Sequence, residues 1–120
     1  MTPQHTLGDL QLAIMRVLWA AGEASVADVT RSLPPEKSRA LTTIATMLTK
    51  MEKKGVVAHR SEGRQYLYRP LVSEGEVKRS MLQELAQRLF EGDYAELVSY
   101  LVDERELDAR ELDALKDRVA

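Results

Sequence analysis

The spacing of apolar residues along the first half of the chain predicts three helices. Within residues 7–20 apolar side chains recur three or four positions apart, as they do on one face of a helix. These positions are Leu10, Ile14, Val17 and Leu18. A short second helix is predicted over about 26–33, because two prolines follow it and prolines stop helices. A third helix is predicted from about residue 40 and ends at Gly55.

The period of the pattern changes after Gly55. The segments VVAHR and QYLYR are rich in β-branched and aromatic residues, and SEGR lies between them. This pattern predicts a β-hairpin in which Gly63 supplies the positive φ angle that the turn requires. Pro70 ends the second strand.

Helical periodicity returns in residues 73–120 and predicts three more helices, near 74–91, 94–104 and 109–119. Each of them, like the second helix, begins with a capping residue followed three positions later by an acid. The pairs are Ser25 with Asp28, Ser73 with Glu76, Asp93 with Glu96, and Asp108 with Glu111. Gly92 separates the first two helices of this region.

The charge of the chain divides at the same place. The whole chain carries a net charge of −2, but residues 1–72 have ten lysines and arginines against six acids, whereas residues 73–120 have seven against thirteen. The basic part is the candidate for a polyanionic partner. We therefore predict two domains, 1–72 and 73–120.

The third helix has two unlike faces when each residue is turned by 100°. One face is apolar and consists of Ile44, Met47, Leu48 and Met51, with Leu41 at its edge. The other consists of Thr42, Thr43, Thr46, Thr49, Lys50 and Lys53. The ordinary alternative is that this face only contacts water. Helix faces of that kind, however, normally carry residues that form helices better than threonine does. Short hydroxyl and methyl groups suit the major groove of DNA, and the lysines, with Lys54, suit phosphates.

The order of elements is that of a winged helix-turn-helix, in which the third helix enters the major groove. The predicted fold class is therefore mainly α with a small β-hairpin. The hairpin is the wing, and its tip places Arg64 beside a glycine with Arg60 and Arg69 nearby. A basic tip suits the phosphate backbone or an adjacent minor groove.

The acidic helices of the tail have an apolar stripe but form a small core by themselves. Burial against a second copy of the chain is the natural solution, and packing back on the winged helix is the alternative. The predicted dimerisation residues are Val77, Met81, Leu85, Leu89, Leu97, Leu101, Leu112 and Leu115.

Other kinds of function find little support in the sequence. The chain has no cysteine and two distant histidines, His5 and His59, so we expect no metal and no cofactor. No nucleophile with a base and no phosphate-binding loop is present, so an enzyme is not expected. No apolar run reaches the length of a membrane span and no signal peptide is evident, which favours a cytoplasmic protein without direct membrane binding.

Two alternatives stay open: a winged helix that binds proteins instead of DNA, and a regulator that activates transcription.

Two long segments resemble the penicillinase-repressor family, also called the BlaI/MecI family. They are LGDLQLAIMRVLW and ALTTIATMLTKMEKKGVVAHRSEGRQYLYRPLVS, and an acidic helical tail follows them. The resemblance implies a transcriptional repressor that binds double-stranded operator DNA as a homodimer, through an N-terminal winged helix and a C-terminal dimerisation region. By position, it implies DNA contacts from Thr42, Thr43, Thr46 and Lys50, and from Arg64 of the wing.

The chain departs from the family at two points. Gly8 stands where such proteins often have a capping threonine, and the paired cysteines of the copper-responsive branch are missing. Copper sensing by thiolates is therefore not expected. In some members of the family repression ends through proteolysis triggered by a membrane sensor protease, so the resemblance suggests such a protease or its pathway as a partner.

Overall fold

The computed structural model describes residues 6–105 and residues 110, 111, 113 and 114. Five α-helices, one short 3-10 helix (Pro35–Lys37) and three strands lie within residues 6–105. The helices are α1 (Asp9–Ala21), α2 (Val26–Ser32), α3 (Leu41–Lys53), α4 (Glu74–Phe90) and α5 (Tyr94–Arg105). The strands are β1 (Ala24–Ser25), β2 (Val57–Glu62) and β3 (Gln65–Pro70). The helix predicted near 109–119 lies largely outside the described residues.

Local capping determines where several helices begin. At α2 the backbone N–H of Asp28 donates to Ser25 Oγ at 3.1 Å, and the N–H of Ser25 donates to Asp28 Oδ2 at 3.3 Å. The backbone N–H groups of Glu76 and Glu96 donate to the side chains of Ser73 and Asp93 in the same manner. These three predicted caps are confirmed. Of the fourth predicted pair, Asp108 lies outside the described residues.

The strands form one antiparallel sheet in the order β1-β3-β2. The hairpin of β2 and β3 was predicted, and its register pairs Glu62 with Gln65 across a two-residue turn. Gly63 has a φ of 63° there, as the first central residue of a type II′ turn requires. The short β1 was not predicted. It joins the sheet by pairing Ala24 with Tyr68.

The core of the winged helix is formed by the apolar faces of α1, α2 and α3 and by the sheet. The side chains of Ile14, Leu18, Val29, Ile44, Leu48, Met51 and Val57 are fully buried in it. Val77, at the start of α4, belongs to the same core. The indole N–H of Trp19 donates to the carbonyl of Val72 at 2.8 Å and so ties α1 to the chain that leads into α4.

The chain divides into two compact units, and the division falls inside α4, between Met81 and Leu82. The first unit holds α1 to α3 and the sheet. Within the second unit, Ala86 and Leu97 are buried, and the rings of Phe90 and Tyr100 lie 5.9 Å apart. The functional boundary after residue 72 stays a prediction. None of the described helices is both long and apolar enough to cross a membrane.

Candidate nucleic-acid interface

The exposed face of α3 carries all six side chains that the sequence singled out on this helix. Ile44, Leu48 and Met51 are buried and fix the rotation of the helix about its axis. The opposite face is therefore turned to solvent. It exposes Thr42, Thr43, Thr46, Thr49, Lys50 and Lys53. A shallow depression of about 260 Å³ is lined by Thr42, Thr43, Thr46, Met47 and Lys50, so the predicted contacts of the first three turns share one surface.

The threonine hydroxyls of this face are oriented by the helix itself. Thr46 Oγ1 donates to the carbonyl of Thr42 and Thr49 Oγ1 donates to that of Ala45, each at 3.0 Å. A helical threonine makes this bond readily, because its hydroxyl reaches the carbonyl four residues back. The hydroxyl proton of Thr46 is then used within the helix. What the side chain offers outward is a methyl group and an oxygen that can accept a hydrogen bond.

Thr49 differs from the other threonines in its surroundings. It also hydrogen-bonds to Tyr68 of β3. Burial raises the pKa of Tyr68, the Glu52 carboxylate raises it further, and the bond with Thr49 partly opposes both effects. Thr49 therefore lies where the exposed face of α3 meets the wing.

The lysines and arginines of this region fall into two groups. Within residues 6–105, Lys50, Lys53 and Arg64 have no carboxylate at ion-pair distance. Lys54 is engaged, because its Nζ donates to the carbonyl of Thr6 at 2.7 Å and to Gln11 Oε1 at 3.2 Å. The three unpaired cations suit phosphates best, since no internal contact has to be broken first.

Arg60 has a structural role that the sequence did not reveal. Its guanidinium donates to both carboxylate oxygens of Glu23, at 2.9 and 2.8 Å, and lies 2.9 Å from Glu62. The hydrogen bond with Glu23 raises the pKa of Arg60, and the same bond lowers the pKa of Glu23. Arg60 thus holds β2 to the connection between α1 and β1, and is not a free cation of the wing. The two residues are 37 positions apart, so no local pattern could have indicated the pair.

The tip of the wing is formed by Gly63 and Arg64. Both are exposed at the turn between β2 and β3. Arg69 is also exposed and lies near Glu23, whose pKa its charge helps to lower. Arg64 is therefore the cation of the wing that the structure leaves available at the tip.

The predicted dimerisation residues occupy three different environments. Val77 is buried in the core of the first unit, and Met81 packs against that core. Leu97 is buried in the second unit. Leu85, Leu89 and Leu101 are exposed by 43%, 66% and 46%. Leu112 and Leu115 lie outside the described residues.

The described residues offer no metal centre. No group of three or more histidine, aspartate or glutamate side chains among them could hold an ion. His59 is a residue of β2, as the sequence suggested, and its imidazole contacts Glu52. His5 lies outside the described residues.

The fold and the exposed face of α3 define a class: a winged-helix, DNA-binding regulator of transcription. The sequence profile of the penicillinase repressor family matches residues 7–120. The chain is 26% identical over 109 residues to the penicillinase repressor of Bacillus licheniformis, covering 91% of this chain and 85% of that one. It is 21% identical over 113 residues to the methicillin resistance regulatory protein MecI of Staphylococcus aureus, covering 94% and 92%.

Solved structures agree with the sequence comparison. The DNA-binding domain of the repressor BlaI in solution superposes with a TM-score of 0.54 at 30% identity, over 63% of this chain and 93% of that one. The monomeric form of Bacillus licheniformis BlaI in complex with the blaP half-operator gives 0.51 at 31% identity, with the same coverage. This chain belongs to the penicillinase repressor family, and the predicted winged helix is confirmed.

Proposed function

We propose that this chain is a homodimeric transcriptional repressor that binds a palindromic operator and thereby blocks transcription. The observation that carries this proposal is the exposed face of α3, which combines threonines with lysines that have no ion-pair partner within residues 6–105. A helix with short polar side chains fits the major groove of B-DNA. The complex of the relative BlaI with a half-operator supports the same use of the fold.

Within this proposal the side chains divide by what they contact. Thr42, Thr43 and Thr46 lie against base edges or thymine methyl groups, because they share the depression along the first turns of α3. Lys50 and Lys53 lie against phosphates that flank the groove, and Thr49 contacts DNA at the junction with the wing. Arg64 contacts the backbone or the adjacent minor groove from the wing tip.

The surface of α3 also indicates whether the partner of this helix is DNA or a protein. A helix that binds a protein in a groove presents an apolar stripe. On α3 the apolar stripe is buried, and Leu41, at the first position of the helix, is its exposed large apolar side chain. This distribution favours DNA.

DNA binding can be tested without knowledge of the operator. We expect selection from random duplexes to enrich one palindromic sequence, and titration with that duplex to show strong salt dependence. Lys50→Ala should reduce the slope of log K against log salt by about 0.9, the value for one phosphate contact. The matched control is Lys78→Ala on α4, where the lysine pairs with Glu74 and should leave the slope unchanged. Equal effects of the two variants, or no enriched duplex, would contradict the proposal.

The homodimer rests on the exposed apolar side chains of α4 and α5. Besides Leu85, Leu89 and Leu101, they are Leu82, Tyr94, Val98 and Tyr100. An apolar surface of this kind is characteristic of an interaction site, and two-fold symmetry would join two identical surfaces. Two winged helices would then meet successive major grooves about 34–36 Å apart, which requires a palindromic site.

The dimer can be tested by placing the same charge at two different exposed positions of α5. Leu101→Asp should yield monomers in sedimentation and a large loss of operator affinity, because an unpaired charge in an apolar interface is costly. Leu101 is exposed in the protomer, so the fold should survive the change. Ser99→Asp adds the same charge at another exposed position and should leave the dimer intact. A monomeric wild type, both free and on DNA, would rule out this architecture.

A reporter experiment in the cell distinguishes repression from activation. Removing the chain should raise expression from a reporter placed behind the selected operator. A fall in expression would indicate activation.

A further inference from the structure

A side-chain contact joins α3 to the wing. His59 Nδ1 of β2 lies 2.6 Å from Glu52 Oε1 in the last turn of α3, and both side chains are about one-third exposed. The imidazole ring also lies against two tyrosines of β3, with centroids 4.2 Å from Tyr66 and 5.4 Å from Tyr68. The ring is thus held on one side by a hydrogen bond and on the other by aromatic packing.

The next residue of β2, Arg60, makes a contact on the other face of the sheet. Arg60 binds Glu23 at the connection between α1 and β1. Successive side chains of a strand point to opposite faces of the sheet. His59 therefore fixes one face of the wing to α3, while Arg60 fixes the other face to the body of the winged helix.

These contacts matter for the tip because of how the hairpin is attached. Between the last turn of α3 and the start of β2 lie the three residues 54–56, with Gly55 at a φ of 84°. The backbone anchors the start of the hairpin, where the N–H of Val56 donates to the carbonyl of Met51 at 3.2 Å, and side-chain contacts of β2 and β3 with α3 complete the attachment. The contact between Glu52 and His59 spans helix and wing on the face towards α3, beside the hydrogen bond between Thr49 and Tyr68.

We propose that Glu52 and His59 are positioning residues for DNA binding, which hold the wing at the angle that lets Arg64 reach the duplex while the threonine face occupies the groove. This inference rests on the proposed DNA binding. Neither residue needs to contact DNA. Their contribution comes through preorganisation, since a wing already at its bound angle loses less conformational freedom on binding.

The test separates positioning from general stability by using Arg64. His59→Phe keeps an aromatic ring between the tyrosines but removes the hydrogen bond to Glu52. We expect it to weaken operator binding about tenfold and to lower the salt slope by up to about 0.9, the signature of one lost phosphate contact. Arg64→Ala should do the same. The double variant should be no weaker than Arg64→Ala alone, because the two changes remove one contact.

A conservative change at the partner residue supplies the second arm. Glu52→Gln retains an acceptor for the imidazole N–H and should bind DNA like the wild type or more tightly, since it removes a negative charge. Glu52→Ala removes the acceptor and should reproduce His59→Phe. Thermal melting of each variant shows whether it is folded, and Glu52→Gln keeps the test valid should Glu52→Ala unfold.

The outcomes distinguish this inference from the proposed function. A wild type that binds no duplex refutes the proposed function itself. A wild type that binds, with His59→Phe and Arg64→Ala adding their effects independently, refutes positioning and leaves DNA binding in place. An unchanged salt slope in His59→Phe refutes positioning in the same way.

Discussion

Thr46 offers the sharpest test of how α3 would read DNA. It lies in the middle of the exposed face, and its hydroxyl donates to the carbonyl of Thr42. Because the proton is used inside the helix, the side chain can give a base only a methyl contact or an acceptor oxygen. Thr46→Ala removes both, Thr46→Ser removes the methyl group, and Thr46→Val removes the oxygen.

The magnitudes follow from these groups. A base contact is worth about 1–3 kcal/mol, so Thr46→Ala should weaken operator binding about fivefold to about 150-fold. Losing one buried methyl group costs about 0.8 kcal/mol, or about fourfold, which is the expected loss for Thr46→Ser if the methyl group contacts a thymine. Alanine favours the helix by up to about 0.7 kcal/mol over threonine, so unfolding cannot explain a weaker complex.

Fluorescence anisotropy on the operator and on an unrelated duplex of equal length measures these effects. The operator complex should weaken and the unrelated complex should change little. Thr30→Ala is the matched control, because Thr30 makes the same bond to the carbonyl of Val26 on another helix. Equal losses on both duplexes would refute base reading and reduce Thr46 to a phosphate contact.

Three further predictions concern the wing and the core. Arg64→Ala should weaken binding to all duplexes and lower the salt slope by about 0.9 in a titration at several salt concentrations; an unchanged slope would remove Arg64 from the interface. Glu23→Gln should lower the melting temperature at neutral pH, because Arg60 holds the pKa of Glu23 below its ordinary value of 4.5. A carboxylate whose pKa is depressed by folding stabilises the fold above pH 4.5 and loses this effect as it becomes protonated. The difference in melting temperature between Glu23→Gln and wild type should therefore shrink as the pH falls below 4.5, and a difference that stays constant would contradict the pairing. Trp19→Phe leaves the carbonyl of Val72 without its donor and should lower the free energy of unfolding in urea by about 1–3 kcal/mol, with operator affinity per folded molecule unchanged.

Features of the fold that depend on nearby residues could be predicted from the sequence. The caps at Ser25, Ser73 and Asp93 involve partners three positions away, and the turn at Gly63 depends on one residue. The two faces of α3 follow from helical geometry alone. Such features need no knowledge of the rest of the molecule.

Features that depend on distant partners could not be predicted. The strand β1 has two residues, too few for a pattern, and it exists because Ala24 pairs with Tyr68. Arg60 looked like a cation of the wing until its partner Glu23 was known. Periodicity placed Val77 on an apolar stripe but could not tell which core would cover it, and the first unit does.

The helix α3 gives up local stability that other helices of the chain keep. The α-helices α1, α2, α4 and α5 each have an acid in the first turn, whereas α3 has none, and its N-cap residue Ala40 offers no side-chain hydrogen bond. A missing cap costs about 1 kcal/mol and a missing acid about 0.3–1 kcal/mol. Burial of Ile44, Leu48 and Met51, at about 1.5–3 kcal/mol each, offsets these losses. An acid in the first turn would repel a phosphate, and a longer side chain would keep the helix away from base edges. The stability of α3 therefore comes from its buried face, and its exposed face stays compatible with DNA.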